Sequence, residues 1–81
     1  MGYPLLYRTM PNEAKYRTEI KELQNLLKKQ NIAVDVDGYF GKGTEAAVKQ
    51  FQESVKGLVS DGIVGNGTWS VLSGRAAFFE D

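Results

Sequence analysis

An eight-residue stretch that occurs twice constrains the fold of this chain more than any other feature. Residues 37–44 read DGYFGKGT, and residues 61–68, which begin 24 positions later, read DGIVGNGT. We call these the first and second DG loops. Each loop runs into a segment with helical character, so the repeat predicts two loop-to-helix units. Five aligned positions are identical: Asp37 and Asp61, Gly38 and Gly62, Gly41 and Gly65, Gly43 and Gly67, and Thr44 and Thr68.

The residue types at these shared positions indicate a scaffold. An Asp side chain can accept a hydrogen bond from the backbone N–H two residues on, which starts a tight turn. Glycine allows positive φ or close backbone approach. Thr44 and Thr68 are predicted helix N-caps, each contributing about 1 kcal/mol. The positions that differ are Tyr39-Phe40 against Ile63-Val64, and Lys42 against Asn66. These are free to pack in one loop and to recognise a ligand in the other.

Composition narrows the function classes. The 81 residues predict one small domain, and the absence of Cys and His removes disulfides, the usual zinc ligands and the Ser–His and Cys–His nucleophile systems. Ten basic and ten acidic residues cancel, which argues against nucleic acid as a partner. No apolar run reaches the ~20 residues that span a bilayer, and no signal peptide is visible. No membrane partner and no cofactor are expected, and the chain itself does not specify a compartment.

The residue types of the first DG loop argue against a calcium site. Asp35 and Asp37 could begin an EF-hand loop, but Tyr39, Phe40 and Ala46 stand where an oxygen ligand, a glycine and a glutamate are required. The match fails, and no metal ligand set is expected.

Hydrophobic periodicity predicts three short helices and hence a mainly α fold. Helix one is expected from a Thr18 cap to about Lys29 or Gln30, with a possible left-handed stop at Asn31. Helix two is expected over about 45–55 with Gly57 as its C′ residue, and helix three over about 69–73 with Gly74 ending it. Residues 1–16 are expected to form an irregular, non-helical arm, and residues 17–74 are expected to form the domain. Residues 75–81 are expected to form a tail, whose Phe78-Phe79 pair either docks on the body or frays. The predicted core comprises Ile20, Leu23, Leu27, Val48, Phe51, Val55, Leu58, Ile63, Trp69 and Leu72.

The anchors from about Ile20 to Leu72 resemble the peptidoglycan-binding domain found beside bacterial and phage cell-wall hydrolases. That family's pattern is a Leu-Gln in helix one, DG-x-FG-x-x-T, AV-x-x-FQ, and GL-x-x-DGIVG-x-x-TW-x-x-L. The chain matches it with Leu23-Gln24, the first DG loop, Ala47-Val48 with Phe51-Gln52, Gly57-Leu58, and the second DG loop with Trp69 and Leu72. It departs from the family before helix one, where residues 10–16 contain no glycine.

The resemblance implies a small closed three-helix bundle with internal pseudo-symmetry, in agreement with the loop-helix repeat. It also implies non-catalytic binding of peptidoglycan, which would target an attached or associated cell-wall hydrolase or particle to the wall. The expected location is therefore the cell wall, periplasm or extracellular space, and the expected partners are the glycan strand or stem peptide and a hydrolase domain. A monomer with weak single-module affinity is expected.

Candidate ligand-binding residues lie on and beside the two DG loops. A cell-wall ligand offers sugar rings, amides and carboxylates, which call for an aromatic face, hydrogen-bonding groups and a cation. Seven of the candidates also have a structural interpretation. Tyr39 could pack against the body, Lys42 could be merely solvated, and Asn66 could form a turn. Thr44 and Thr68 could cap helices, Gln52 could bond a loop carbonyl, and Trp69 could fill the core. The candidates are Tyr39, Gly41, Lys42, Thr44, Gln52, Asp61, Asn66, Thr68 and Trp69.

Three other functions have to be compared with peptidoglycan binding. Glycoside hydrolysis needs a carboxyl pair across a cleft, but Asp37, Glu45 and Asp61 have structural explanations as turn or helix-start residues, and Glu53 lies on a helix. A protein–protein or pro-segment module on the same fold is the alternative that the arm and Phe78-Phe79 favour. A helix-turn-helix DNA binder would need a basic recognition helix, whereas helix two balances Lys49 and Lys56 with Glu45 and Glu53.

Overall fold

The computed structural model describes residues 3–80, and for residues 75–80 it describes the backbone alone. In chain order the elements are a 3-10 turn over Glu13–Tyr16, α1 over Arg17–Lys29, α2 over Lys42–Ser54 and α3 over Asn66–Glu80. No strand is present among residues 3–80, and the one β-bridge described there joins Leu6 to Val64. The prediction of a mainly α, three-helix domain is confirmed, whereas internal symmetry at the level of the fold stays a prediction.

One face of helix α1 carries buried residues that lie at the centre of the core. Its buried residues Ile20, Leu23, Gln24 and Leu27 recur at helical spacing and face inward, and α1 packs against both α2 and α3. Asn31, at φ 63°, adopts the predicted left-handed conformation just past the end of the helix. The buried apolar residues from all parts of the described chain are Leu6, Met10, Ile20, Leu23, Leu27, Ile32, Phe40, Ala47, Val48, Phe51, Val64, Trp69 and Leu72. Three predicted core residues lie nearer the surface: Ile63 is exposed, and Val55 and Leu58 are half-buried.

The predicted threonine caps are wrong. Helix α1 begins at Arg17, directly after the 3-10 turn, so Thr18 lies within it. Helices α2 and α3 begin at Lys42 and Asn66, two residues before Thr44 and Thr68 respectively. Gly41 occupies the N-cap position of α2 with no side-chain cap bond. The Thr44 and Thr68 hydroxyls instead accept hydrogen bonds from the buried amides of Gln24 on α1 and Gln52 on α2.

The predicted helix ends also need correction. Helix α2 ends at Ser54, and the next residue, Val55, is extended, which places Gly57 (φ 100°) in the following turn and not at C′. Gly74 does not end α3, which continues to Glu80; an internal glycine costs a helix only about 1 kcal/mol. The two alternatives for Phe78-Phe79, docking on the body or fraying, fall outside the described side chains. None of the helices in the described part of the chain is long and apolar enough to cross a membrane.

The N-terminal arm packs on the second DG loop. The backbones of Leu6 and Val64 exchange two hydrogen bonds, with N···O distances of 3.1 and 2.8 Å. The Trp69 indole N–H donates to the Pro4 carbonyl at 2.8 Å, and the Tyr3 ring stacks on Trp69 with centroids 4.3 Å apart. Within the arm, residues 13–16 form a 3-10 turn where an irregular, non-helical segment was expected.

Candidate functional site

A buried glutamine holds the first DG loop in shape. Gln24 of α1 is fully buried, and its Nε2 lies 3.0 Å from each of three acceptors: Asp37 Oδ1, the Tyr39 carbonyl and Thr44 Oγ1. Its Oε1 accepts from the backbone N–H groups of Asp37 at 3.0 Å and Gly38 at 2.9 Å. One side chain thus satisfies both ends of the turn from inside the core, which makes the loop rigid.

The second DG loop is held by Gln52 of α2 in the same way. Gln52 Nε2 donates to Asp61 Oδ1 (3.2 Å), the Ile63 carbonyl (3.0 Å) and Thr68 Oγ1 (3.1 Å). Its Oε1 accepts from the Gly62 N–H at 2.9 Å. Of the two interpretations given to Gln52, the structure shows the bond to a loop carbonyl. Its amide is buried and already bonded within the chain.

The predicted turn chemistry is present in both loops. Asp37 Oδ1 accepts from the Tyr39 N–H and Asp61 Oδ1 from the Ile63 N–H, each at 3.0 Å. Gly38 and Gly62 have φ of 80° and 77°. Positive φ at these two positions is a conformation that side-chain-bearing residues adopt only at a cost.

The first DG loop borders an open cleft. The cleft has a volume of about 370 Å³ and lies between the segment that precedes the loop and the start of α2. Its lining combines two carboxylates, one aromatic ring and bare backbone, from Ala33, Val34, Asp35, Asp37, Tyr39, Gly41, Gly43 and Thr44. It therefore offers hydrogen-bonding groups and one aromatic surface, and three of the predicted ligand-binding residues belong to it: Tyr39, Gly41 and Thr44.

Tyr39 is the exposed aromatic group of this cleft. Its side chain is 57% exposed, and the Arg17 guanidinium lies over its ring at 4.1 Å from the centroid. Arg17 Nη1 also donates to the Gly38 carbonyl at 3.0 Å, so the cation is held by the loop that it covers. This contact positions the phenol ring while leaving more than half of the residue accessible.

The remaining predicted site residues fall into two groups. Lys42 and Asn66, the first residues of α2 and α3, are exposed, as is Asp61. Thr44, Gln52, Thr68 and Trp69 are buried, and their polar side-chain atoms are bonded within the chain. The structure thus brings Tyr39, Gly41 and Thr44 together at one cleft, while Asp61, Asn66, Thr68 and Trp69 belong to the second loop and its helix.

Gln24 is the site residue that sequence reasoning did not single out. It appeared only as part of the Leu-Gln motif, although it falls on the apolar stripe of α1 between Leu23 and Leu27. A polar residue on a buried stripe must find hydrogen-bond partners, and this was the signal that could have identified it. Among the described residues, no group of three or more Asp or Glu side chains could hold a metal ion.

Electrostatics at the loop lead to a pH prediction. The hydrogen bond from the Tyr39 N–H, and then that from the Gln24 amide, lower the pKa of Asp37 below its usual 3.8. A carboxyl group whose pKa is lower in the folded state stabilises the fold above its unfolded pKa, and this contribution is lost as the pH falls through the folded pKa. We expect the free energy of unfolding to fall on acidification below about pH 4. Urea titrations at successive pH values would measure it.

The control for this pH prediction is a pair of isosteric variants. Asp37→Asn keeps an Oδ1 acceptor but removes the titrating group, so its stability should change less with pH in this range. Asp35→Asn, in the same cleft but outside the loop hydrogen bonds, should follow the parent. If Asp37→Asn and the parent lose stability in parallel, Asp37 does not carry this acid sensitivity.

Comparisons with known proteins agree with this architecture. The family model of the peptidoglycan binding domain matches residues 16–72, well over half of the chain. An uncharacterised protein encoded in the bpoA1 3′ region of Kitasatospora aureofaciens is 60% identical over 38 residues, which is 47% of this chain and 31% of that protein. The chain thus aligns with about a third of that relative's length. No solved structure matches the chain. The match over residues 16–72 contains both DG loops, both anchoring glutamines and the core of all three helices, and on it the chain belongs to the peptidoglycan binding domain family.

Proposed function

We propose that the cleft at the first DG loop binds bacterial peptidoglycan without modifying it, and so holds an attached or associated cell-wall hydrolase or particle at the wall. The observation that carries this proposal is the open cleft, which is lined by the aromatic side chain of Tyr39. The backbone of Tyr39 is held by a hydrogen bond from the buried Gln24 amide to its carbonyl. Membership of the family supports the ligand class. The hydrolase partner is inferred from the family resemblance.

The chemistry of the cleft suits a glycan or stem-peptide fragment. Tyr39 offers an exposed aromatic surface against which the apolar face of a sugar ring can pack. Asp35 and Asp37 can accept hydrogen bonds from hydroxyl and amide groups. The first intrahelical bond of α2 runs from the Glu45 N–H to the Gly41 carbonyl, so the N–H groups before Glu45 have no partner within the helix and favour a carbonyl or carboxylate.

The protonation state of Asp37 argues against its acting as the general acid of a glycosidase. A glycosidase acid must be protonated near neutral pH, which requires a raised pKa. The pKa of Asp37 is instead lowered by the hydrogen bonds from the Tyr39 N–H and the Gln24 amide. Asp37 is therefore suited to accept hydrogen bonds from a ligand and to shape the turn.

The direct test is co-sedimentation of the purified chain with insoluble peptidoglycan sacculi. We expect the parent to pellet and Tyr39→Ala to bind about fivefold more weakly, because one aromatic contact contributes about 1 kcal/mol. Lys42→Ala tests whether the exposed cation at the start of α2 meets a ligand carboxylate. The matched control is Ile63→Ala, which truncates the aligned and also exposed position of the second loop.

Each result has a direct reading once folding is verified by circular dichroism. A parent that stays in the supernatant with sacculi of every wall type tried would refute peptidoglycan binding. The protein–protein or pro-segment alternative would then be pursued. Equal losses in Tyr39→Ala and Ile63→Ala would mean that the first DG loop is not the specific site. Binding by Ile63→Ala at the parent level, with loss in Tyr39→Ala, supports the proposal.

A further inference from the structure

The two DG loops share their hydrogen bonds but differ in what covers their glycines. At the first loop, a Cβ placed on Gly41 or Gly43 would meet no heavy atom within 4 Å. At the aligned glycines of the second loop, a Cβ on Gly65 would lie 3.7 Å from Leu5 Cδ1, and one on Gly67 would lie 3.7 Å from Leu58 Cδ2. Gly41 and Gly43 line the open cleft. Leucine methyl groups therefore lie beside the corresponding positions of the second loop, although Gly67 itself remains exposed.

The two leucines reach this space for different reasons. Leu58 aligns with Val34, which lines the first cleft, and its longer side chain extends to Gly67. Leu5 comes from the arm, where its two neighbours are both tied down: Pro4 accepts from the Trp69 indole, and Leu6 pairs with Val64. These bonds on either side place Leu5 beside Gly65, although the residue is 56% exposed.

We propose that the arm segment Tyr3–Leu6 is a built-in cover of the second DG loop, with Leu5 and Leu58 filling the space that ligand takes at the first loop. The domain consequently binds peptidoglycan through one cleft despite carrying two loops of the same construction. This inference rests on the proposed function of the first cleft. It assigns a ligand-excluding role to an arm that largely precedes the family match, which begins at residue 16.

The cover can be tested with the full chain, labelled with 15N and titrated with a soluble disaccharide-peptide fragment of peptidoglycan. In the parent we expect amide shifts at Gly41 and Gly43, none at Gly65 and Gly67, and a stoichiometry of one. The opened variant Leu5→Ala/Leu58→Val gives the second loop the aligned valine and removes the arm side chain. It should show additional shifts at Gly65 and Gly67. Adding Ile63→Tyr, which supplies the aromatic residue of the first loop, should raise the stoichiometry to two.

A reciprocal variant keeps the proposal testable even if the opened chain folds poorly. Val34→Leu places the longer side chain of the second loop in the first cleft, and we expect affinity to fall about tenfold through crowding. Val34→Ile, with a branched side chain of the same volume, is the control for bulk alone; it should bind more tightly than Val34→Leu, because only the γ-branched side chain reproduces Leu58.

The outcomes separate this inference from the proposed function. Parent shifts at Gly65 and Gly67 that match those at Gly41 and Gly43 would overturn the cover while leaving peptidoglycan binding intact. The cover would also be overturned if the opened variant folds but shows no amide shifts at Gly65 and Gly67. If the parent shows no amide shifts at any of the four glycines, the proposed function is overturned, and the inference with it.

Discussion

Replacing Gln24 with alanine is expected to lower the free energy of unfolding by about 3 kcal/mol. The variant loses donors to Asp37, Tyr39 and Thr44 and the acceptor of two backbone N–H groups. The Gly38 N–H is buried, and a buried donor left unsatisfied costs roughly 1–3 kcal/mol by itself. A domain of this size is stable by only about 4–12 kcal/mol, so Gln24→Ala removes a large part of the total.

Urea denaturation followed by circular dichroism measures this loss, and Asn25→Ala is the matched control. Asn25 is the next residue of α1 and is exposed, so its truncation should change stability by less than about 0.5 kcal/mol. Gln52→Ala should have a similar effect, since Gln52 holds the second loop through four bonds that correspond to four of the five made by Gln24. Equal midpoints for Gln24→Ala and Asn25→Ala would show that the buried amide does not hold the loop.

Truncating Leu6 in the arm is expected to cost about 3 kcal/mol, as for a leucine in the centre of a core. Leu6 is fully buried, and its backbone hydrogen bonds to Val64 survive the substitution to alanine, so the loss measures side-chain burial. Trp69 provides the second readout, because the arm stacks Tyr3 on its ring and bonds its indole. Looser docking of the arm should make tryptophan fluorescence more accessible to a soluble quencher.

The neighbouring residue is the natural control for this second prediction. Leu5→Ala removes the same atoms from a side chain that is largely exposed, and should cost less than about 1 kcal/mol. Comparable losses for Leu5→Ala and Leu6→Ala would mean that the arm contributes no specific packing. A loss confined to Leu6→Ala establishes that the folded unit extends upstream of the family match.

The amino-acid order alone predicted those features whose partners are close in the chain. The Asp37 turn spans two residues, the left-handed Asn31 ends its own helix, and the stripe of α1 repeats every three to four positions. Such interactions depend on local backbone geometry, so the residue types suffice to identify them. Family membership followed from the same short-range motifs, because they recur at fixed spacing.

The tertiary structure decided the features whose partners are distant in the chain. A threonine before a helix is an ordinary cap signal, but Thr44 and Thr68 became partners of Gln24 and Gln52, which reach them across 20 and 16 positions. The bond between Trp69 and Pro4 spans 65 positions, and it places Leu5 over one loop and leaves the other loop open. Local propensity contains no information about which distant group will satisfy a buried polar atom or cover a glycine. That choice is made only when the helices pack, and it leaves the space beside Gly41 and Gly43 open while leucine side chains lie beside Gly65 and Gly67.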